Sequence, residues 1–279
     1  MTADCQPPLS AVREVVARAL AEDLLPLGDL TASLVAPNVK ARAAFVARQA
    51  GVLAGRAGAA EALHQVDPAL HVEWQLDDGD QVLAGATIGE VGGALRSILT
   101  AERTALNLMC HLSGIATLTR RYADAVAPAR IRDTRKTTPG LRALEKAAVR
   151  AGGGVNHRAS LSDGILVKDN HLGGLSITEA VARAVERWPG RVVEVECDTI
   201  EQVREALAAP AGMVLLDNMT PEQVTAAVQE VGGRIPVEVS GGITLATAAD
   251  YAKTGADFVS VGAITHSAPI LDIGLDLEG

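Results

Sequence analysis

From Arg130 onward, short apolar runs alternate with longer amphipathic segments. The runs at 130–133, 163–168, 191–196, 212–217, 235–240 and 257–262 read as strands. Between them, 141–151, 175–188, 199–209, 220–231 and 244–254 carry the apolar spacing of helices. Strands this apolar are buried on both faces, as in a parallel sheet covered by helices. From Lys168, the strand ends at Glu196, Asp217, Ser240 and Gly262 follow at intervals of 28, 21, 23 and 22 residues. That regularity predicts an α/β barrel of about six parallel strands rather than an open sheet.

The first hundred residues have a different rhythm. A helix is expected from a Ser10 cap to about Asp23, with Val12, Val15, Val16, Ala19 and Leu20 on one face, and with Pro26 and Gly28 breaking the pattern beyond it. Residues 40–54 read as a strand entering a glycine bend, 56–66 as a short helix, and 71–91 as a hairpin or meander turning at Asp77–Asp80. Gly55-Arg56-Ala57-Gly58 has the spacing of neither a P-loop nor a dinucleotide fingerprint. A long helical pattern then runs from Ile98 to about Ala127, capped by Thr100 and divided into two helices at Gly114. The fold class is therefore α/β, with an N-terminal α/β sandwich domain over 1–110 and a barrel domain over 111–265 that carries the chemistry. The tail at 266–279 is expected to return to the first domain.

Composition narrows this picture. Only 2 % of the residues are aromatic while 48 % are hydrophobic, so the core is built from Ala, Val, Leu and Ile. Cys5, Cys110 and Cys197 are far apart and form no CxxC pair, which fits neither a disulfide framework nor a zinc site and suits a cytoplasmic protein. No basic segment leads into an apolar run at the N-terminus, and no uncharged apolar stretch reaches 18 residues, so neither a secretory signal nor a membrane span is expected.

Charge points to a site. Arg130 to His171 holds nine Lys/Arg against four Asp/Glu, a local balance of +5 in a chain of net charge −9. A basic island in an acidic protein suggests small anions as ligands, whereas a nucleic-acid footprint spreads over a whole basic face. Arg135, Lys136, Arg158 and Lys168 are donors suited to carboxylate and phosphate, and His157 and His171 can bond beside them.

Each strand of the repeating half also ends in polar or small residues: Arg135-Lys136, Lys168-Asp169-Asn170, Glu196 and Asp198, Asp217-Asn218, Ser240-Gly241-Gly242, and Gly262-Ala263. In α/β barrels the carboxyl ends of the strands face the active site. Ser240-Gly241-Gly242 and Gly262-Ala263 have the character of barrel phosphate sites, where backbone N–H groups and a helix N-terminus hold the anion. Glu196 and Asp217 are hard oxygen donors with neither an adjacent His nor a metal-pair Cys, which suits Mg²⁺ held partly through water; the alternative is pairing with nearby lysines. Arg103, in the first turn of the long helix, is opposed by the helix dipole and should have a partner, such as a salt bridge with Glu102 or another acid.

The run DTRKTTPGLRALEKAAVRAGGGVNHR followed by LVKDNH resembles the quinolinate phosphoribosyltransferases, and so do 21–35, ERTALN and LSGIAT in the long helix. The resemblance implies a type II phosphoribosyltransferase-like fold and transfer of phosphoribosyl from phosphoribosyl pyrophosphate to quinolinate. Decarboxylation then gives nicotinate mononucleotide. It implies that Arg103, Thr134, Arg135, Lys136, His157, Arg158 and Lys168 surround quinolinate, Arg103 being donated across a homodimer. Lys136, Glu196 and Asp217 would be catalytic and face the ribose and pyrophosphate, the two acids through Mg²⁺. Ser240, Gly241, Gly242, Gly262 and Ala263 would hold the 5′-phosphate. No nucleic-acid or membrane partner is implied, and assembly beyond the dimer is left open. The sequence departs from the family at Ser160, where a glycine is usual, and at 24–27, which is less glycine-rich. Competing readings are a related transferase with another acceptor, a Schiff-base aldolase using Lys168, and a phosphate-ligand sensor that has lost catalysis.

Overall fold

A computed structural model describes residues 5–278. In chain order the elements are α1 (Leu9–Leu24), β1 (Lys40–Ala47), β2 (Gly51–Val52), α2 (Arg56–Val66), β3 (His71–Trp74), β4 (Gln81–Val82), β5 (Thr87–Ala94), α3 (Leu95–Val126), β6 (Arg130–Arg132) and α4 (Arg142–Ala151). They continue with β7 (Ile165–Val167), α5 (Asp169–Leu172), α6 (Ile177–Arg187), β8 (Val193–Cys197), α7 (Ile200–Ala208), β9 (Met213–Asp217) and α8 (Pro221–Val231). The last are β10 (Val237–Ser240), α9 (Leu245–Ala252), β11 (Phe258–Ser260), α10 (Ala263–His266) and β12 (Ile273–Leu277).

The chain divides into two compact units: the first takes the residues up to Arg120 with 137–153 and those from Ala263 on, and the second takes 121–136 and 154–262. Segment 137–153, expected within the barrel, groups with the first unit because α4 docks on α3. His111 Nε2 lies 2.9 Å from the fully buried Glu145 Oε1, and a side chain at Gly152 would meet the Ala116 carbonyl at 2.4 Å.

The first unit holds a four-stranded antiparallel sheet in the order β12-β1-β5-β3, so the C-terminal strand lies beside β1. The 71–91 region is more than a hairpin: β3 pairs with β5, while β4 leaves to pair with β2. Phe45 and Trp74, two of the few aromatics, stack with ring centroids 5.5 Å apart.

Two expectations for the long helix are corrected. It starts at Leu95, directly after β5, so Thr100 is internal and its hydroxyl bonds Asp29 Oδ2 at 3.1 Å. Arg103 is therefore in the third turn, beyond the reach of the dipole argument. Gly114 does not divide the helix. A Cβ there would sit 2.1 Å from the Pro269 carbonyl oxygen, so its bare backbone serves close packing of the returning tail. Likewise α1 starts at Leu9, with Pro8 rather than Ser10 as the flanking residue.

The second unit is built on a six-stranded parallel sheet in the order β6-β11-β10-β9-β8-β7. This is the order of a six-stranded barrel opened between β6 and β7, with Val155 bridging to Arg132 along the β6 edge. The alternation follows from sequence at every step. Strands such as Met213–Asp217 bury nearly every residue, and the next helices begin at capping boxes, Ser176 with Glu179, Thr199 with Gln202 and Thr220 with Gln223. These caps sit just beyond the strand ends and fix the loops that carry polar groups. No helix among the described residues is long and apolar enough to cross a membrane.

Candidate active site

Because all six strands are parallel, their carboxyl ends open on one side of the second unit. A cavity of about 370 Å³ lies there, in the size range of small-molecule sites, lined by Thr134, Arg135, Lys136, His157, Arg158, Lys168, Glu196, Asp217 and Ser240. Nine of the residues singled out in the sequence thus meet at one mouth. Gly241, Gly242 and Gly262 follow directly on strands of the same sheet. Arg103 and Ala263 belong to the first unit. Arg103 is exposed on α3 and forms no ion pair among the described residues, so the expected local acid is not its partner.

The rim is ordered by short-range bonds. The Thr134 hydroxyl accepts the Lys136 N–H at 3.0 Å, which turns the chain just beyond β6. Lys168 pairs with Glu196 across β7 and β8. The His171 ring accepts the Lys168 N–H at 3.0 Å, so it caps α5 rather than facing a ligand. Asn218, with a φ of 54°, donates to Asp217 Oδ2 at 2.6 Å, and its N–H donates to the Ser240 carbonyl at 3.0 Å. A Cβ at Gly241 would lie 2.3 Å from Asn218 Oδ1, so the acidic turn after β9 and the glycine turn after β10 approach closely only because residue 241 has no side chain.

The walls bring several cations together, Arg135, Lys136, Arg158 and Lys168. Arg158 donates to the Gly164 carbonyl at 3.0 Å. Burial, and then the like charge of Arg135, push its guanidinium below the ordinary arginine range, with Glu194 only partly offsetting them. Two guanidinium groups lining one cavity are donors of the kind that carboxylates and phosphates take.

Beneath the mouth the barrel interior holds charges that the sequence reading missed. Arg132 pairs with Glu238 and stands 3.9 Å from Glu194. His157 Nε2 lies 3.1 Å from Glu194 and 3.6 Å from Glu238, while its Nδ1 accepts the Arg158 N–H at 2.7 Å. With Nδ1 accepting, Nε2 carries the proton and points at the acids. Ser260 donates to Glu238, whose carboxyl is pushed above its ordinary range by burial and by Glu194. Asp133, fully buried, accepts from Asn156 Nδ2 at 2.6 Å and from the His157 N–H at 2.8 Å. The signal for the interior acids was the alternation in Val193-Glu194-Val195-Glu196 and Val237-Glu238-Val239-Ser240, which sets the polar members on one face of each strand.

Two sets of residues offer metal ligands. His157, Glu194 and Glu238 present ligand atoms within 4.8 Å of one another, but Arg132 already supplies the compensating charge there. Glu196 and Asp217, on adjacent strands at the mouth, are oxygen donors of the kind Mg²⁺ takes together with water and phosphate oxygens.

Residues 29–113 match the model of the quinolinate phosphoribosyl transferase N-terminal domain, and residues 115–276 match that of its C-terminal domain. The chain is 45 % identical, over 99 % of its length and 100 % of the relative's, to the nicotinate-nucleotide pyrophosphorylase [carboxylating] of Mycobacterium leprae. It is 40 % identical, over 97 % of this chain and 83 % of the relative, to quinolinate phosphoribosyltransferase [decarboxylating] 2b, mitochondrial, of Nicotiana tabacum. The solved nicotinate-nucleotide pyrophosphorylase of Francisella tularensis superposes with a TM-score of 0.94 at 40 % identity, covering 99 % of each chain. On its two domains and its full-length relatives, the chain belongs to the quinolinate phosphoribosyltransferase family.

Proposed function

We propose that the protein transfers phosphoribosyl from phosphoribosyl pyrophosphate to quinolinate and releases CO₂, giving nicotinate mononucleotide and pyrophosphate for de novo NAD biosynthesis. The observation that carries this reading is the Arg135–Arg158 pair at the wall of the cavity, a cationic arrangement that a pyridine dicarboxylate neutralises. Thr134, Lys136, His157 and Lys168 line the same cavity, and Lys136 would face both the acceptor and the ribose. Ser240, Gly241 and Gly242, ahead of α9, with Gly262 and Ala263, take the 5′-phosphate through backbone N–H groups.

The pyridine nitrogen attacks the anomeric carbon as the bond to pyrophosphate breaks. Glu196 and Asp217 face the cationic ribosyl carbon and stabilise its charge. Once the nitrogen bears ribose, the ring draws in the electron pair of the adjacent carboxylate bond, CO₂ leaves and the carbon takes up a proton. Much of the acceleration comes from holding two polyanions together. Glu196 and Asp217 would hold Mg²⁺, which supplies charge neutralisation of the pyrophosphate group. A Schiff-base role for Lys168 needs a free amine, whereas Lys168 is paired with Glu196.

Arg103, exposed and unpaired among the described residues, supports a homodimer in which it is donated to the neighbouring subunit's acceptor site. The cysteines form no disulfide among the described residues, which suits a reducing cytoplasm. Purified protein given quinolinate, phosphoribosyl pyrophosphate and Mg²⁺ should release CO₂ and nicotinate mononucleotide in equal amounts, and EDTA should stop both. Nucleotide formed without CO₂, or no product at all, would overturn the reading.

A further inference from the structure

Arg135 follows β6, while Arg158 lies on a segment that returns to the sheet after α4, so the two arginines come from separate arms of the chain. Contacts between the arms set their spacing. The main chain does part of this: Val155 N–H donates to the Ile131 carbonyl at 2.9 Å, and the Asp133 N–H donates to the Val155 carbonyl at 3.3 Å. The next contacts come from one side chain. The Asp133 carboxylate takes the His157 N–H on Oδ1 and the Asn156 amide on Oδ2. It is fully buried, two residues before Arg135 in the chain and bonded to the residue before Arg158.

We propose that Asp133 is a positioning residue that clamps the Thr134–Lys136 and Asn156–Arg158 segments together and so presets the spacing of the two arginines for the dicarboxylate. This rests on the quinolinate reading above. A buried carboxylate suits the task because charge-assisted bonds to a backbone N–H and an amide are short and directional. It is buried behind the cavity and is not among the residues that line it. The bond to the His157 N–H fixes the His157 main chain, and the His157 ring is held by its own contacts, Nδ1 accepting from the Arg158 N–H and Nε2 lying 3.1 Å from Glu194. Asp133 is thus distinct from the groups that touch substrate.

The test compares Asp133→Ala with the exchange Asp133→Asn/Asn156→Asp. In the exchange, the new amide oxygen still accepts from the His157 N–H, and its NH₂ donates to the new carboxylate. Asp133→Ala should raise KM for quinolinate about a hundredfold, the scale expected when positioned groups shift by about 1 Å. KM for phosphoribosyl pyrophosphate should change less than about threefold, and the exchange should restore most of the quinolinate affinity. Hydrogen exchange of the His157 amide, read without any substrate, should accelerate at least about tenfold in Asp133→Ala and recover in the exchange. If Asp133→Ala does not fold, single Asp133→Asn takes its place with a smaller effect of the same pattern. An unchanged quinolinate KM, an equal rise in both KM values, or unchanged exchange at His157 would overturn the clamp. If the unaltered protein fails to use quinolinate, the functional reading falls, and the amide exchange still decides the clamp.

Discussion

Arg132 on β6 and Glu194 on β8 come within 3.9 Å of each other, although β11, β10 and β9 lie between their strands in the sheet. On a flat sheet four strand spacings would separate them by roughly 19 Å, beyond the reach of an arginine. Their contact requires the sheet to curl into a barrel, and it places a charged layer where most barrels pack apolar side chains. Arg132 is then the counter-charge for two buried acids. Arg132→Leu should cost about 3–5 kcal/mol at neutral pH, because breaking a buried pair strands the remaining charge. Glu238 already has a raised carboxyl pKa, so its neutral form is favoured in the folded protein over the unfolded chain. The penalty should therefore be small below the ordinary glutamate value of 4.5 and grow as pH rises through the folded value. Urea unfolding at several pH values checks this; a loss independent of pH would contradict it.

Arg158 should not be replaceable by lysine. Its guanidinium already spends one N–H on the Gly164 carbonyl, and on the proposed reading the others would hold a carboxylate. An ammonium cannot serve both in the same geometry. Arg158→Lys should raise KM for quinolinate by about ten- to a hundredfold, the range for a lost charge-assisted bond, with little effect on phosphoribosyl pyrophosphate. Steady-state kinetics with each substrate varied in turn measures this.

If Arg103 acts in the neighbouring subunit, two inactive variants should complement each other. Arg103→Ala and Lys136→Ala should each retain little activity alone. After subunit exchange, half of the dimers are mixed and each carries one intact site, so activity should recover to about a quarter of normal. No recovery despite proven exchange would place Arg103 in its own subunit's site.

Gly114→Ala tests the reading of the long helix. In an isolated helix alanine is favoured over glycine. Here the added methyl would meet the Pro269 carbonyl, which is backbone and moves only with the tail. A loss of about 1–3 kcal/mol is expected from overpacking, read by chemical denaturation, and a gain would contradict the packing.

Much of this protein was legible in its sequence. The strand and helix ranges of the second unit fall within about three residues of the expected ones, since each strand there is buried on both faces and each helix opens on a local cap. The polar strand ends converge because a parallel sheet leaves them no other side. What stayed hidden depended on distant partners. Gly114 reads as a helix breaker until Pro269 is placed against it. The segment 137–153 reads as part of the barrel until Glu145 meets His111. Glu194 and Glu238 alternate with valines, which sets them on one strand face, but their counter-charge Arg132 comes from a strand four places away from that of Glu194.

The most direct test of the central claim compares acceptors. If the cationic wall takes two carboxylates as proposed, then with phosphoribosyl pyrophosphate and Mg²⁺ present, quinolinate should yield nicotinate mononucleotide and CO₂ while nicotinate, with one carboxylate, should yield almost no product. Equal use of both acceptors, or use of nicotinate alone, would contradict the account.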